Sequence, residues 1–155
     1  MDSCNDTEKF YSNGLRWTCL RCSYCCRHEE GYVFLSKGDL ARLSSELNMT
    51  GEEFTRTFCR WVHLAGNIEL LAIKEKSNND CFFWKDRCTV YNARPTQCRT
   101  YPFWEGFLAD EAGWKTGTED CPGINSGRLY TSAEIEECIA AERAEPPLAR
   151  KKSDG

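Results

Sequence analysis

Histidine is nearly missing: the 155 residues hold two, His28 and His63. No H-E-x-x-H pair exists, so a metalloprotease of that type is excluded. There is no G-x-S-x-G elbow, no P-loop and no dinucleotide fingerprint, so no complete hydrolase or nucleotide-binding constellation is present. A C-x3-C-x2-C run is absent as well. No stretch of about 18 apolar residues occurs, so no membrane-spanning helix and no membrane partner is expected. Basic residues are not in excess: 20 Lys and Arg face 24 Asp and Glu, a formal net charge of −4. A general nucleic-acid binder would carry a basic footprint, so no nucleic-acid partner is expected. The first fourteen residues, MDSCNDTEKFYSNG, have neither a basic n-region nor an apolar h-region. No secretory leader is therefore expected, and the cytoplasm is the expected compartment.

What is abundant is cysteine, with 11 residues. Disulfides fit poorly: the count is odd, a reducing compartment is expected, and a domain of this length can bury a core without staples. Clustered cysteines in such a setting more often bind metal or perform redox chemistry.

Hydrophobic spacing and turn chemistry suggest an α+β fold. It would be a single small domain with about three helices, a small mostly antiparallel sheet, and Cys-rich loops converging on one or two metal sites. Residues 1–14 are expected to be a flexible N-terminus, 15–145 the cysteine-cluster metal-binding domain, and 146–155 a disordered tail. Tyr32–Leu35 reads as a short strand. Ser36 caps a helix carrying Leu40, Leu43 and Leu47, which Asn48 ends. Thr50-Gly51-Glu52-Glu53 is a capping box, and the helix it opens is expected to run through Phe54, Phe58, Trp61 and Val62 to Gly66. Ile68–Ile73 and Cys81–Trp84 are strand candidates that could pair as a hairpin, with Lys85-Asp86-Arg87 a tight turn. Arg94-Pro95 suits the start of a short helical turn. Residues 105–120 read as a loop or weak hairpin, and Cys121-Pro122-Gly123 as a turn. Thr131-Ser132-Ala133-Glu134 opens a last helix with Ile135, Cys138 and Ile139 on one face.

The chemistry lies in two cysteine sets. The first is Cys19-x2-Cys22-x2-Cys25-Cys26. A two-residue gap lets a tight turn aim two sulfurs at one point, which is why it recurs in zinc and iron–sulfur sites. Three such cysteines match the start of a bacterial ferredoxin run, but the fourth does not follow at that run's spacing. Adjacent cysteines rarely address one tetrahedral metal, so Cys25 and Cys26 would serve different metals, bridge two, or supply one ligand between them. The second set is Cys81, Cys88, Cys98 and Cys121, each beside a turn or a helix start. Together they are eight thiols, the number for two four-sulfur sites. Folding would then be partly metal-driven, because the thiolates must be deprotonated and gathered.

These residues resemble the YkgJ-type cysteine-cluster family, also called the CxxCxxCC or zinc- or iron-chelating domain family. The resemblance rests on Cys19-x2-Cys22-x2-Cys25-Cys26 and Cys81. It continues through Cys88-x2-Tyr91-x2-Arg94-Pro95-x2-Cys98-Arg99-x-Tyr101-Pro102-Phe103 and Cys121-Pro122-Gly123. Tyr24 stands where the family usually has Gly before the paired cysteines. The resemblance covers about residues 15–125. It implies a small protein that chelates iron or zinc, similar to an iron–sulfur unit found in flagellin lysine methylases, and it implies no particular substrate.

Other residues have plainer expectations. Cys4 would be an exposed thiol; Cys59 and Cys138 would be small buried hydrophobes within helices. His28 could replace one thiolate, though a surface or supporting role suits it better, and His63 is expected to be structural and mid-helix. Arg94 and Arg99 flank Cys98. Either they offset the negative charge of a thiolate-rich site, or they pair with ordinary carboxylates. Tyr91 and Tyr101 could donate to sulfur or serve as core. Arg94, Arg99 and Tyr101 are the expected cofactor-supporting residues. Phe82, Phe83, Trp84, Phe103 and Trp104 could wall the site against water.

Three functions remain open. One is an iron–sulfur protein ([4Fe–4S] type) or iron protein serving electron transfer, iron sensing or an enzyme, with an unidentified protein partner. Another is a zinc-chelating structural or interaction protein with closed Cys4 sites. The third is a thiol oxidoreductase using the vicinal Cys25-Cys26 pair, which needs an exposed thiolate of lowered pKa and a resolving partner. No catalytic residue is identified.

Overall fold

The computed structural model describes residues 8–20 and 32–152. The elements in chain order are β1 (Leu15–Trp17), α1 (Lys37–Glu46), α2 (Gly51–Phe58), β2 (Cys59–Ala65), β3 (Ile68–Ile73) and a 3-10 turn at Tyr91–Ala93. They continue with α3 (Thr96–Thr100), α4 (Glu105–Leu108), α5 (Glu111–Asp120), β4 (Ile124–Tyr130), α6 (Ser132–Ala144) and β5 (Ala149–Lys151). The class is α+β with two small antiparallel sheets, one ordered β1–β4 and the other β2–β3–β5. The backbone divides into two compact units, one of residues 1–22 and 102–140, the other of residues 23–101 and 141–155.

In the larger unit, the starts of α1 and α2 are written locally. Ser36 accepts from the Asp39 amide while the Asp39 carboxylate accepts from the Ser36 amide. Thr50 and Glu53 repeat the arrangement at α2. Such reciprocal caps satisfy amides that a helix leaves without internal partners. Asn48 ends α1 in the left-handed region, at φ 53°, which asparagine tolerates better than most residues. Leu35, Leu43, Phe54, Leu71, Ile73, Phe83 and Val90 form the buried core of this unit.

The expected long helix from Thr50 stops at Phe58. Cys59–Ala65 is instead strand β2, paired to β3 with Arg60 opposite Ala72 and Trp61 opposite Leu71. His63 and Cys59 therefore sit on a strand. Gly66-Asn67 is the two-residue turn between the strands, with Gly66 at φ 59°. Such a loop favours residues that accept positive φ. The apolar residues of 59–65 satisfy a strand as well as a helix, and the ladder to the near-continuously apolar β3 decides between them. β3 is thus taken by β2 and β5, and Cys81–Trp84 makes only isolated bridges, Glu75 to Cys81 and Trp84 to Cys88. Tyr32–Leu35 similarly contributes a bridge, Phe34 to Ala72.

Residues 146–152, expected to be disordered, include β5, which pairs Leu70 with Ala149 and Ile68 with Lys151. The exposed strand survives because its amides and carbonyls complete the open edge of β3. Glu145 anchors its approach by accepting from the Ser36 hydroxyl.

In the smaller unit, residues 105–120 form α4 and α5 where a loop or weak hairpin was expected. Asp110 caps α5 by accepting from the Gly113 amide at 2.7 Å. Two of the glycines in this stretch serve packing: a Cβ at Gly117 would press on Ile124 and one at Gly113 on the Gly106 carbonyl. The helix count consequently exceeds three, with four α-helices of eight residues or more among the described residues. Thr131 and Glu134 cap α6 reciprocally, and Ile135 and Ile139 are buried as expected. Tyr11 is buried and donates to Glu136 at 2.7 Å, which pins the described part of the expected flexible N-terminus. Phe103 stacks on Trp114 with centroids 5.7 Å apart.

Candidate metal centre

Cys22, Cys25, Cys26, His28 and Cys4 lie outside the described residues. The other candidate ligands fall on three pieces of backbone, each held by its own hydrogen bonds.

The first piece is the β1–β4 ribbon of the smaller unit. Leu15 stands opposite Tyr130, and Trp17 opposite Ile124, with a bulge between Arg16 and Trp17. One step on, the Thr18 amide donates to the Gly123 carbonyl at 3.2 Å. Continuing that register lays the chain through Cys19 alongside the Cys121–Gly123 turn. Gly123 is obligatory here, because a Cβ would overlap the Thr18 carbonyl oxygen. Cys121 is buried, 9% exposed, and Cys19 is exposed. The Cys121 amide closes α5 by donating to the Gly117 carbonyl at 3.0 Å, and its carbonyl accepts from Ile124. Trp17 packs edge-on against Phe103, and its indole nitrogen is buried with no hydrogen-bond partner.

The second piece is a compact loop in the larger unit bearing Cys81 and Cys88. The Trp84 amide donates to the Cys81 carbonyl at 2.9 Å, while Trp84 and Cys88 form an antiparallel bridge. Asp86 turns the chain at φ 62°, as the Lys85-Asp86-Arg87 sequence implied. Both cysteines are half-buried against the core of that unit.

The third piece is α3, which carries Cys98. Its N-cap, Pro95, has no side chain able to cap. The missing acceptor comes from Asp39, whose Oδ1 accepts from the Thr96 amide and the Thr96 hydroxyl, each at 2.9 Å. Asp39 is 2% exposed and also pairs with Arg42. Gln97 ties the same helix to the segment before α1: its Oε1 accepts from the Phe34 amide at 3.1 Å, and its Nε2 donates to the Tyr32 carbonyl at 2.8 Å. Asp39 and Gln97 thus orient the Cys98 helix. From the sequence, Asp39 reads only as the residue at the third position of the helix that Ser36 caps. The signal available was a proline at the start of a helix with nothing to cap it.

Arg94 lies over the Tyr91 ring at 3.8 Å and donates through Nε to the Tyr91 carbonyl at 2.9 Å. Arg99 donates to the Thr96 hydroxyl at 3.4 Å. Among the described residues neither pairs with a carboxylate. Of the two expectations for these arginines, the ordinary ion pair is therefore not found there. Tyr101 stands at the C-cap of α3, half-buried. The expected aromatic wall divides between the units. Phe82 and Phe83 pack with Phe58 in one, and Phe103 packs with Trp17, Trp114 and Tyr130 in the other.

The remaining candidates have structural surroundings. Burial pushes the Cys59 thiol up to about 11, with Lys74 opposing more weakly. Cys138 is half-buried on α6. His63 Nε2 donates to the Gly66 carbonyl at 2.5 Å across the hairpin turn. Among the described residues no group of three or more His, Cys, Asp or Glu side chains forms a metal cage. Three cysteines of the N-terminal cluster are outside that set.

An all-sulfur donor set favours soft or borderline metals. On the β1–β4 ribbon the fit can be tested directly: Cys19 and Cys121 sit on neighbouring stretches of backbone joined by the Thr18–Gly123 hydrogen bond, and the buried indole N–H of Trp17, set against Gly123, lacks an acceptor. Both features suit a thiolate-bound metal. Together they define a small α+β domain of the cysteine-cluster, metal-chelating class.

The chain belongs to the CxxCxxCC family, described as "Putative zinc- or iron-chelating domain", whose model matches residues 18–122. It is also similar to an uncharacterized protein of Methanocaldococcus jannaschii, 27% identical over 95 residues, covering 60% of this chain and 48% of the relative. The chain therefore spans about half the length of that curated relative. No solved structure matches. No helix among the described residues is long and apolar enough to cross a membrane.

Proposed function

We propose that the chain holds an iron–sulfur cluster of the [4Fe–4S] type, or iron, and acts in electron transfer, iron sensing or as an accessory to an enzyme. Cys19, Cys22, Cys25, Cys26, Cys81, Cys88, Cys98 and Cys121 are the proposed ligands. The carrying observation is a thiolate donor set that opens with ferredoxin-like spacing in a zinc- or iron-chelating family. A bound cluster would supply one-electron chemistry. The protein's part is to gather the thiolates, keep water away and offset charge. Arg94 and Arg99, without carboxylate partners among the described residues, supply positive charge beside Cys98 on a backbone that Asp39 and Gln97 hold in place. Cationic neighbours favour the thiolate.

A second reading, zinc, is favoured by the count of eight thiols, which suits two closed four-sulfur sites. Such sites keep no open position for catalysis. Protein isolated without oxygen or added metal separates the two. Broad absorbance near about 400 nm, the thiolate-to-iron region expected for such clusters, with iron and sulfide, supports the first. A colourless protein holding zinc overturns it in favour of the second. Cys26→Ser tests the thiol-oxidoreductase reading, which requires lost turnover with metal retained; stoichiometric loss of metal eliminates it.

A further inference from the structure

We propose that the indole N–H of Trp17 donates a hydrogen bond to a metal-bound thiolate on the β1–β4 ribbon, positioning that sulfur and tuning its metal. This rests on the metal-binding reading and adds a residue to it. Trp17 Nε1 is buried and has no hydrogen-bond partner. A buried donor without an acceptor is costly and calls for an explanation. The indole is not loosely placed. Its ring meets Phe103 edge-on at 6.3 Å and Tyr130 at 6.2 Å. The bulge at Arg16 and Trp17 re-aims the side chain relative to the strand before it, as bulges do. Its nitrogen lies 3.5 Å from where a Cβ of Gly123 would stand. The N–H is thus over the turn that follows Cys121 and two residues before Cys19.

A neutral thiol accepts a hydrogen bond weakly, whereas a thiolate accepts strongly. Metal binding deprotonates the ligating cysteine, so loading the site creates the acceptor that Trp17 lacks. Such a bond draws electron density from the sulfur and restrains its direction. Trp114, in the same unit, provides an internal comparison. It stacks on the same Phe103, but its Nε1 already donates to Asn125 at 3.0 Å.

The test uses the full chain and Cd²⁺ as the probe. Indole N–H resonances are recorded during titration, with Trp17 assigned through Trp17→Phe. The Trp17 signal should move on loading and show coupling to ¹¹³Cd, while the Trp114 signal stays in place. Against a competing chelator, Trp17→Phe should release Cd²⁺ roughly tenfold more readily, the lower range for loss of a group that supports a ligand. Trp114→Phe should behave as the wild type. The proposal is overturned if the Trp17 resonance stays still although Cd²⁺ is bound and Cys121→Ser abolishes its binding; the metal-binding reading then stands. Equal release from the two tryptophan variants also overturns it. A wild-type chain that takes up no Cd²⁺ overturns both readings.

Discussion

Replacing Asp39 with alanine should destabilise the larger unit and loosen the helix that bears Cys98. The carboxylate accepts from the Ser36 amide at 3.0 Å and from the Thr96 amide and hydroxyl at 2.9 Å each, and it pairs with Arg42. Ser36, Asp39 and Thr96 are 2%, 2% and 4% exposed, so water cannot readily replace the lost acceptor. Each buried donor left without a partner costs about 1–3 kcal/mol. Arg42 is 37% exposed on its side chain and can recover hydration, which keeps the total near the range for breaking a buried pair, about 3–5 kcal/mol. Asp39→Asn preserves one acceptor oxygen and turns the other into a donor, so roughly half the loss is expected on the same bookkeeping. Urea unfolding at one fixed excess of free metal, followed by tryptophan emission, compares the variants under the same linkage. The reasoning is refuted if Asp39→Ala unfolds within about 0.5 kcal/mol of wild type, the scatter of an ordinary surface substitution.

Three further outcomes are expected. The Cys59 thiol, pushed by burial from its ordinary value near 9.0 to about 11, should resist alkylation at pH 8 until the protein unfolds. Its folded pKa is raised, so its contribution is fully present below pH 9 and is lost as pH rises through about 11. That loss is about 2–3 kcal/mol, visible as a falling urea midpoint that Cys59→Ala does not show. Gly123→Ala should splay Thr18 from the turn, costing about 1–3 kcal/mol as overpacking does. It should also lower Cd²⁺ retention; unchanged retention would separate the ribbon from the metal site. Arg99→Ala should weaken metal retention more than Lys85→Ala does, read by chelator competition, and equal retention removes Arg99 from the site.

What was legible in the sequence was local. The capping boxes at Ser36, Thr50 and Thr131 and the helix end at Asn48 involve partners at most a few residues apart, and each stands where the spacing placed it. The errors arose where distant chain decides. Trp61 and Val62 continue a helical spacing from Phe54, but β3 offers a ladder, and Gly66-Asn67 turns a hairpin where the spacing alone suggests a helix stop. Gly113 and Gly117 conceal α5, because a glycine in close packing looks the same in sequence as one in a loop, and Gly106 lies in α4 with open space around it. β5 is polar and follows two prolines, and only the open edge of β3 gives it a partner. The cysteine set was legible as chemistry. The supporting bond from Asp39 to Thr96 was not, since it spans 57 residues.

The described candidate ligands fall in both units, each on backbone of its own. Cys19 and Cys121 ride on a two-stranded ribbon, Cys81 and Cys88 on a turned loop, and Cys98 on a helix capped from afar. Each piece carries backbone hydrogen bonds to protein partners, such as Thr18 to Gly123, Trp84 to Cys81 and Cys98 to Pro95. On the proposed reading, the metal-driven share of folding would be the gathering and deprotonation of sulfur. The groups left over point the same way. Trp17 keeps a buried N–H without an acceptor, and Arg94 and Arg99 keep guanidinium charge without a carboxylate among the described residues. On the proposed reading, thiolates in each unit would supply the acceptor that Trp17 lacks in one and the negative charge that Arg94 and Arg99 lack in the other.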